Sequence, residues 1–217
     1  MKASVVVPAK GFTHAKRRLA SHLSARERRA VAEAMLRHVL EQVRLSRGVD
    51  ETFVVTADAE VACLALSLGT QVIPEREETG ESRAVSLALD ELGRSGVRGV
   101  LVIPGDLPLL QSVDIEFVLD EVPQASSAVP FALLVPSRDR MGTNGLFLTP
   151  PGVIRPQFGH DSFCRHLSEV SAKGIPFKVL ENRRIALDVD EPLDLEHTRA
   201  ETNGGGSSGA SPTWTGA

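Results

Sequence analysis

The chain has 217 residues, with 24 Lys and Arg against 28 Asp and Glu and a formal net charge of −4. That acidic balance argues against a general nucleic-acid binder, and no apolar run approaches the ~18 residues of a membrane span, so neither partner is expected. Cys63 and Cys164 stand far apart in the chain with no second Cys or metal-spaced His beside them. They imply neither a disulfide framework nor a zinc site, only reduced thiols that are buried or half-buried. The opening run Val5-Val6-Val7 is too short for a signal peptide, which makes a cytoplasmic protein the expectation.

Short β-branched runs alternate with helical patterns, the signature of an α/β sheet with crossover helices. Strands are predicted at Ala3–Val7, Glu51–Thr56, Thr70–Ile73, Gly99–Ile103, Ala132–Pro136, Gly145–Leu148 and Phe177–Leu180, and their apolar continuity predicts burial on both faces. The first helix opens on the capping box Ser24-Ala25-Arg26-Glu27 and carries Val31, Met35, Val39 and Val43 on one face before Gly48 stops it. Further helices are predicted at 58–68, 82–92, 112–119 and 162–173. Residues 1–200 read as one domain, and 201–217 as a Gly/Ser-rich flexible tail holding the only Trp, Trp214.

The first strand runs into Pro8-Ala9-Lys10-Gly11-Phe12-Thr13-His14-Ala15-Lys16-Arg17-Arg18-Leu19. In open α/β folds this strand-to-helix loop is where nucleotide phosphates are met. It lacks GxGxxG and GxxxxGK[ST], so neither a dinucleotide fold nor a P-loop is supported. What it offers is charge. The first thirty residues hold Lys2, Lys10, Lys16, Arg17, Arg18, Arg26, Arg28 and Arg29 against Glu27 alone, which suggests a local anionic ligand. Lys10, Lys16 and Arg18 either neutralise charge on a transferring phosphoryl group or form a solvated basic loop.

Pro104-Gly105-Asp106-Leu107-Pro108 follows the most hydrophobic strand, and its Gly and Pro hold Asp106 at a strand end, as a cleft carboxylate or as a turn cap. In Leu187-Asp188-Val189-Asp190-Glu191-Pro192, an extended backbone points Asp188 and Asp190 to one face. Two like charges so close call for a cation, and a hard divalent ion with Asp106 as third ligand is one solution; the acidic first turn of a final helix is the other. Between these lie Gly142-Thr143-Asn144-Gly145 and Phe158-Gly159-His160-Asp161-Ser162-Phe163. The first supplies a hydroxyl, an amide and open backbone N–H groups, and the second opens a helix, so both suit the phosphate or carboxylate of a small acidic substrate as well as ordinary turn and cap chemistry. Of the six His, His160 alone is placed by its neighbours near this cleft, and the others read mostly as surface residues.

Taken in order, these motifs resemble the 2-phospho-L-lactate guanylyltransferase family, whose members serve biosynthesis of coenzyme F-420, over nearly all of residues 3–197. The resemblance implies a single-domain nucleotidyltransferase fold like that of molybdenum-cofactor guanylyltransferases (GT-A-like, MobA-like), with a mostly parallel mixed sheet flanked by helices. It implies that GTP and a small phosphorylated carboxylic acid react with Mg2+ to give a guanosine diphospho-acid and pyrophosphate, with 2-phospho-L-lactate, phosphoenolpyruvate and 3-phospho-D-glycerate as the candidate acids. By position, Asp106, Asp188 and Asp190 resemble metal ligands; Thr143, Asn144, Gly159 and Ser162 fall in the acid-binding motifs; and Lys10, Lys16 and Arg18 resemble contacts to the nucleotide phosphates. Where the family has Gly-Leu-Asn ahead of its middle helix, this chain has Gly80-Glu81-Ser82. A hand-off of the product to a downstream transferase is implied by the family alone. A non-catalytic nucleotide- or phosphometabolite-binding regulator on the same fold is the competing expectation.

Overall fold

The computed structural model describes residues 2–123, 130–189 and 194; Asp190 and the 201–217 tail lie outside the described residues. Seven strands, β1 (Ala3–Pro8), β2 (Val49–Thr56), β3 (Gln71–Pro74), β4 (Val100–Val102), β5 (Phe131–Pro136), β6 (Thr143–Thr149) and β7 (Phe177–Val179), form one sheet in the order β3-β2-β1-β4-β6-β5-β7. β6 runs antiparallel to both its neighbours, β4 and β5, while the other pairings are parallel. Among the described elements five helices surround it: α1 (Ala25–Leu45), α2 (Ala59–Ser67), α3 (Glu81–Arg94), α4 (Ser112–Asp120) and α5 (Ser162–Ala172). Every predicted strand and helix is present. The additions are two 3-10 turns, Phe12–His14 and Arg17–Ser21, inside the basic loop.

The central strands are buried on both faces because their side chains alternate between two cores. Val5, Val7, Leu101, Ile103, Leu133 and Phe147 meet α1, α2 and α4 on one side; Val6, Val100, Val102, Leu134, Leu146 and Leu148 meet α3 and α5 on the other. Burial on both faces does not extend to the sheet edges. The first half of β2, which β3 does not reach, is largely solvated, and the edge strand β7 exposes Phe177.

α1 and α2 are started by the capping residues the sequence offers. The Ser24 hydroxyl accepts from Glu27 N and the Glu27 carboxylate accepts from Ser24 N, the reciprocal capping box. Asp58 accepts from Glu60 N and Val61 N at the head of α2. Cys63 and Cys164 are both exposed, contrary to the expectation of buried thiols: α2 buries Val61, Leu64 and Ala65, and α5 buries Phe163, His166 and Val170, which leaves each Cys on the outer face.

Strand order places the site. The chain reverses its direction of travel across the sheet between β1 and β4, and ligands of open α/β sheets bind beyond the strand ends at such a switch point. Gly145 in β6 lets β5 approach: a Cβ there would lie 2.9 Å from Val135 Cγ2 and 3.0 Å from Val135 Cβ. Gly145→Ala is expected to cost ~1–3 kcal/mol by overpacking. It should also lower activity more than its stability loss explains, because Thr143 and Asn144 share the strand; chemical denaturation and steady-state rates on the same preparation check both.

Candidate active site

The loops at the switch point enclose two adjoining cavities of about 400 and 520 Å³. Lys10, Arg18, Glu81, Pro104 and Asp106 line both, so they form the partition between them.

The smaller cavity is the basic one. Lys10, Lys16, Arg17 and Arg18 line it, facing Glu75, Glu78 and the start of α3. The basic region is thus divided: Lys2 pairs with Asp50, Arg29 pairs with Glu60, and Arg28 turns to the Leu23 carbonyl, so these charges serve the fold elsewhere. Gly11 N donates to Glu78 Oε1 at 2.7 Å, fastening the basic loop to the acidic wall. Burial, with Glu78 nearby, pushes the Glu75 carboxyl above its usual range. Lys16 heads the second 3-10 turn at φ 52°, a left-handed conformation uncommon outside Gly, and its ammonium pairs with the Asp106 carboxylate.

The loop carrying Asp188 reaches the same partition. Val189 N donates to the Asp106 carbonyl at 3.4 Å, and the fully buried Val189 packs with Leu19, Val31 and Met35. One small apolar cluster therefore anchors both the basic loop, through Leu19, and the Asp188 segment, through Val189. Asp106 and Asp188 both line the larger cavity, the juxtaposition expected from sequence. Asp188 Oδ1 accepts from Asn144 Nδ2 at 3.0 Å, and the same amide nitrogen donates to the Ile185 carbonyl. Asn144, grouped by sequence with the substrate contacts, thus holds the Asp188 segment in place. Among the described residues no three His, Cys, Asp or Glu form a metal-sized group, and Asp190 lies outside them.

Asp114 braces this segment from behind. It is 1% exposed, accepts from Gln111 N at the head of α4, and receives Arg184 Nε at 2.8 Å, Arg184 Nη2 at 2.7 Å and Asn182 Nδ2 at 2.9 Å.

The far wall of the larger cavity contains Thr143, Gly159, His160 and Ser162. Gly159 adopts φ 105°, open to Gly and strained for other residues, which turns the chain into α5. The Ser82 hydroxyl donates to the Phe158 carbonyl at 3.3 Å, tying the start of α3 to this loop. Ser137 and Asp139 shape the facing turn: Gly142 N donates to Ser137 Oγ at 2.7 Å and Met141 N to Asp139 Oδ1 at 2.9 Å. Hydrogen bonds from Ser137 and Met141 N hold the Asp139 carboxyl below its usual range.

His166, expected at the surface with most of the other histidines, is fully buried behind this wall. Its Nδ1 lies 3.0 Å from Thr143 Oγ1, its Nε2 accepts from Gln157 N at 2.8 Å, and Phe158 packs edge-on to its ring. The available signal was spacing: Ser162, Phe163, His166 and Val170 fall on one helical stripe, which α5 buries. Desolvation lowers the His166 pKa to about 4. Between pH 6.5 and about 4 the unfolded chain binds this proton more readily than the folded one, so stability present above pH 6.5 falls as pH drops, by up to ~3 kcal/mol from this group. Urea midpoints at pH 7 and pH 4.5 should show this loss in the native chain and a smaller one in His166→Gln.

Comparison with known proteins decides what this site belongs to. The family model described as guanylyl transferase CofC like matches residues 3–206. The chain belongs to the CofC-like guanylyl transferase family. It is 36% identical over 199 residues to the phosphoenolpyruvate guanylyltransferase of Conexibacter woesei, covering 92% of this chain and 88% of that protein. It is 33% identical over 195 residues to the 2-phospho-L-lactate guanylyltransferase of Methanothermobacter thermautotrophicus, covering 90% and 83%. The 3-phospho-D-glycerate guanylyltransferase of Colwellia psychrerythraea is 32% identical over 196 residues, covering 90% of each. The fold is that of nucleotidyltransferases: a solved nucleotidyl transferase from Methanothermobacter superposes with a TM-score of 0.65 at 17% identity, covering 92% of this chain and 97% of that one. As a CofC-like chain, the protein is a nucleotidyltransferase enzyme. Among its described residues no helix is long and apolar enough to cross a membrane.

Proposed function

We propose that this CofC-like enzyme joins GMP from GTP to a small phosphorylated carboxylic acid and releases pyrophosphate, as a step of coenzyme F-420 biosynthesis. The observation that carries this reading is the pair of adjoining cavities with Asp106 at their junction and Asp188 beside it in the larger one. The basic cavity takes the nucleotide, with Lys10, Lys16 and Arg18 on its phosphates. The larger cavity takes the acid, whose carboxylate meets the Thr143 and Ser162 hydroxyls and the backbone at Gly159.

A phosphate oxygen of the acid attacks the α-phosphorus of GTP, the bond from that phosphorus to the β-bridging oxygen breaks, and pyrophosphate departs. The nucleophile is already an anion, so the step needs alignment and charge neutralisation more than proton transfer. Arg18 and Lys10, on the partition, face both the nucleotide and the incoming phosphate. Asp106 and Asp188 are hard oxygen donors from separate loops on one cavity, and that donor set suits Mg2+. Asp106, Asp188 and, by sequence, Asp190 would hold the ion, and Lys16 and Asn144 keep the first two carboxylates in place. When bound, Mg2+ supplies neutralisation of the phosphate oxygens.

The product is a reactive diphosphate, which suits hand-off to a transferase that consumes it. The test is pyrophosphate release from the purified protein with Mg2+, GTP or ATP, and each of 2-phospho-L-lactate, phosphoenolpyruvate and 3-phospho-D-glycerate. Release with GTP and one of these acids is expected; a folded protein that releases none under any pairing would favour the regulator instead.

A further inference from the structure

The hydrogen bonds around His166 have a fixed direction, and that direction reaches the acid cavity. Gln157 N is a backbone N–H and can only donate, so Nε2 of His166 is the acceptor of that 2.8 Å bond and carries no proton. A neutral imidazole with a bare Nε2 bears its proton on Nδ1, and burial keeps the ring neutral, its pKa lowered to about 4. Nδ1–H then donates to Thr143 Oγ1 at 3.0 Å. Thr143 is thereby barred from donating to His166. Ser162 Oγ–H donates to the same Thr143 oxygen at 3.4 Å, so that oxygen accepts from both sides and the Thr143 hydroxyl proton is left for the cavity that both residues line. The three groups are 0%, 5% and 1% exposed for His166, Thr143 and Ser162, so bulk water does not rearrange them.

We propose that His166 is a positioning residue for substrate: locked as its Nδ1–H tautomer by Gln157 N, it forces the Thr143 and Ser162 hydroxyls to present a donor to the carboxylate of the phosphorylated acid. This rests on the proposed reaction for the ligand, but the tautomer and the direction of the bonds do not. The arrangement discriminates by charge: a carboxylate accepts from the hydroxyl, whereas a group that must itself donate there finds acceptors already filled. Gln at 166 can replace the ring in kind, since its amide offers one donor and one acceptor; Leu offers neither.

Two measurements on the full chain test this. Long-range 15N–1H correlation spectra of the protein at pH 7 should show a protonated Nδ1 and a bare Nε2 for His166, absent in His166→Gln; a protonated Nε2 would overturn the inference whatever the enzyme turns over. Steady-state kinetics with GTP and the acid the enzyme uses should show KM for the acid raised at least about tenfold in His166→Leu, the equivalent of one hydrogen bond, with KM for GTP unchanged and most of the loss recovered in His166→Gln. Should His166→Leu not fold, Thr143→Val against Thr143→Ser reads the same donor, with Val expected to raise the acid KM and Ser to retain it. An unchanged acid KM in folded His166→Leu, or equal losses for Val and Ser at 143, would overturn the inference while leaving the guanylyltransferase reading intact. Absence of turnover by the native chain with every acid would instead count against that reading, and the spectra would still decide the tautomer.

Discussion

Asp106→Asn and Asp188→Asn are each expected to lower kcat by at least about a hundredfold, the scale of losing one preorganised electrostatic contact at a phosphoryl-transfer centre. Asp106 sits on the partition between the nucleotide and acid cavities and Asp188 lines the acid cavity, on separate loops joined by the bond from Val189 N to the Asp106 carbonyl. Asn preserves the shape of each side chain and removes its charge. At position 188 an Asn oxygen can still accept from Asn144, so the fold should barely notice. At position 106 the change also leaves the Lys16 ammonium, whose side chain is 8% exposed, with a neutral acceptor in place of a carboxylate, so some stability is lost as well. Thermal unfolding alongside the rates separates the two effects. Near-normal kcat in both variants would remove the carboxylates from the reaction.

Asp114→Ala is expected to give the largest loss of stability, about 3 kcal/mol, or roughly 10 °C in Tm for a chain of this size. Asp114 is buried and accepts from Gln111 N, Asn182 and Arg184, so its removal strands several donors at once. Arg184 itself is 42% exposed and can rehydrate, which keeps the loss below that of a fully buried pair. The residues it clamps lead directly into Ile185, Leu187 and Asp188, so the variant should also lose activity through poorer placement of Asp188. Arg184→Ala in the Asp114→Ala background should add little further loss, because the pair acts as one unit. A Tm within a degree or two of the native value would contradict the bracing role.

Periodicity and punctuation carried much of the fold. The alternating apolar runs, the Ser24–Glu27 box and the Gly48 helix stop each act locally, so they are legible without tertiary contacts. Strand order is not local. That β6 inserts antiparallel between β4 and β5, bringing Thr143 and Asn144 to the same sheet end as Asp106, comes from packing across the sheet. That Asp106 and Asp188 line one cavity was legible because each carboxylate follows an apolar run of the sequence. His166 and Asp114 were not, since a lone His or Asp on a helix reads as solvated unless its partners are known, and Thr143, Asn182 and Arg184 lie 23, 68 and 70 residues away in sequence. Asn144 shows the same limit: its motif marks a site, while only the geometry turns its amide toward Asp188.

In the proposed reaction one cavity presents the α-phosphate of GTP to the phosphate of an acid held in the other. Phosphorus NMR of the native enzyme with Mg2+, GTP and phosphoenolpyruvate tests it most directly, with the other two acids in parallel samples. Paired diphosphate resonances of a new guanosine diphospho-acid, appearing in equal amount with pyrophosphate, are the predicted result. Conversion of GTP to GDP or GMP without loss of any acid, or no change in the presence of folded protein, would contradict it.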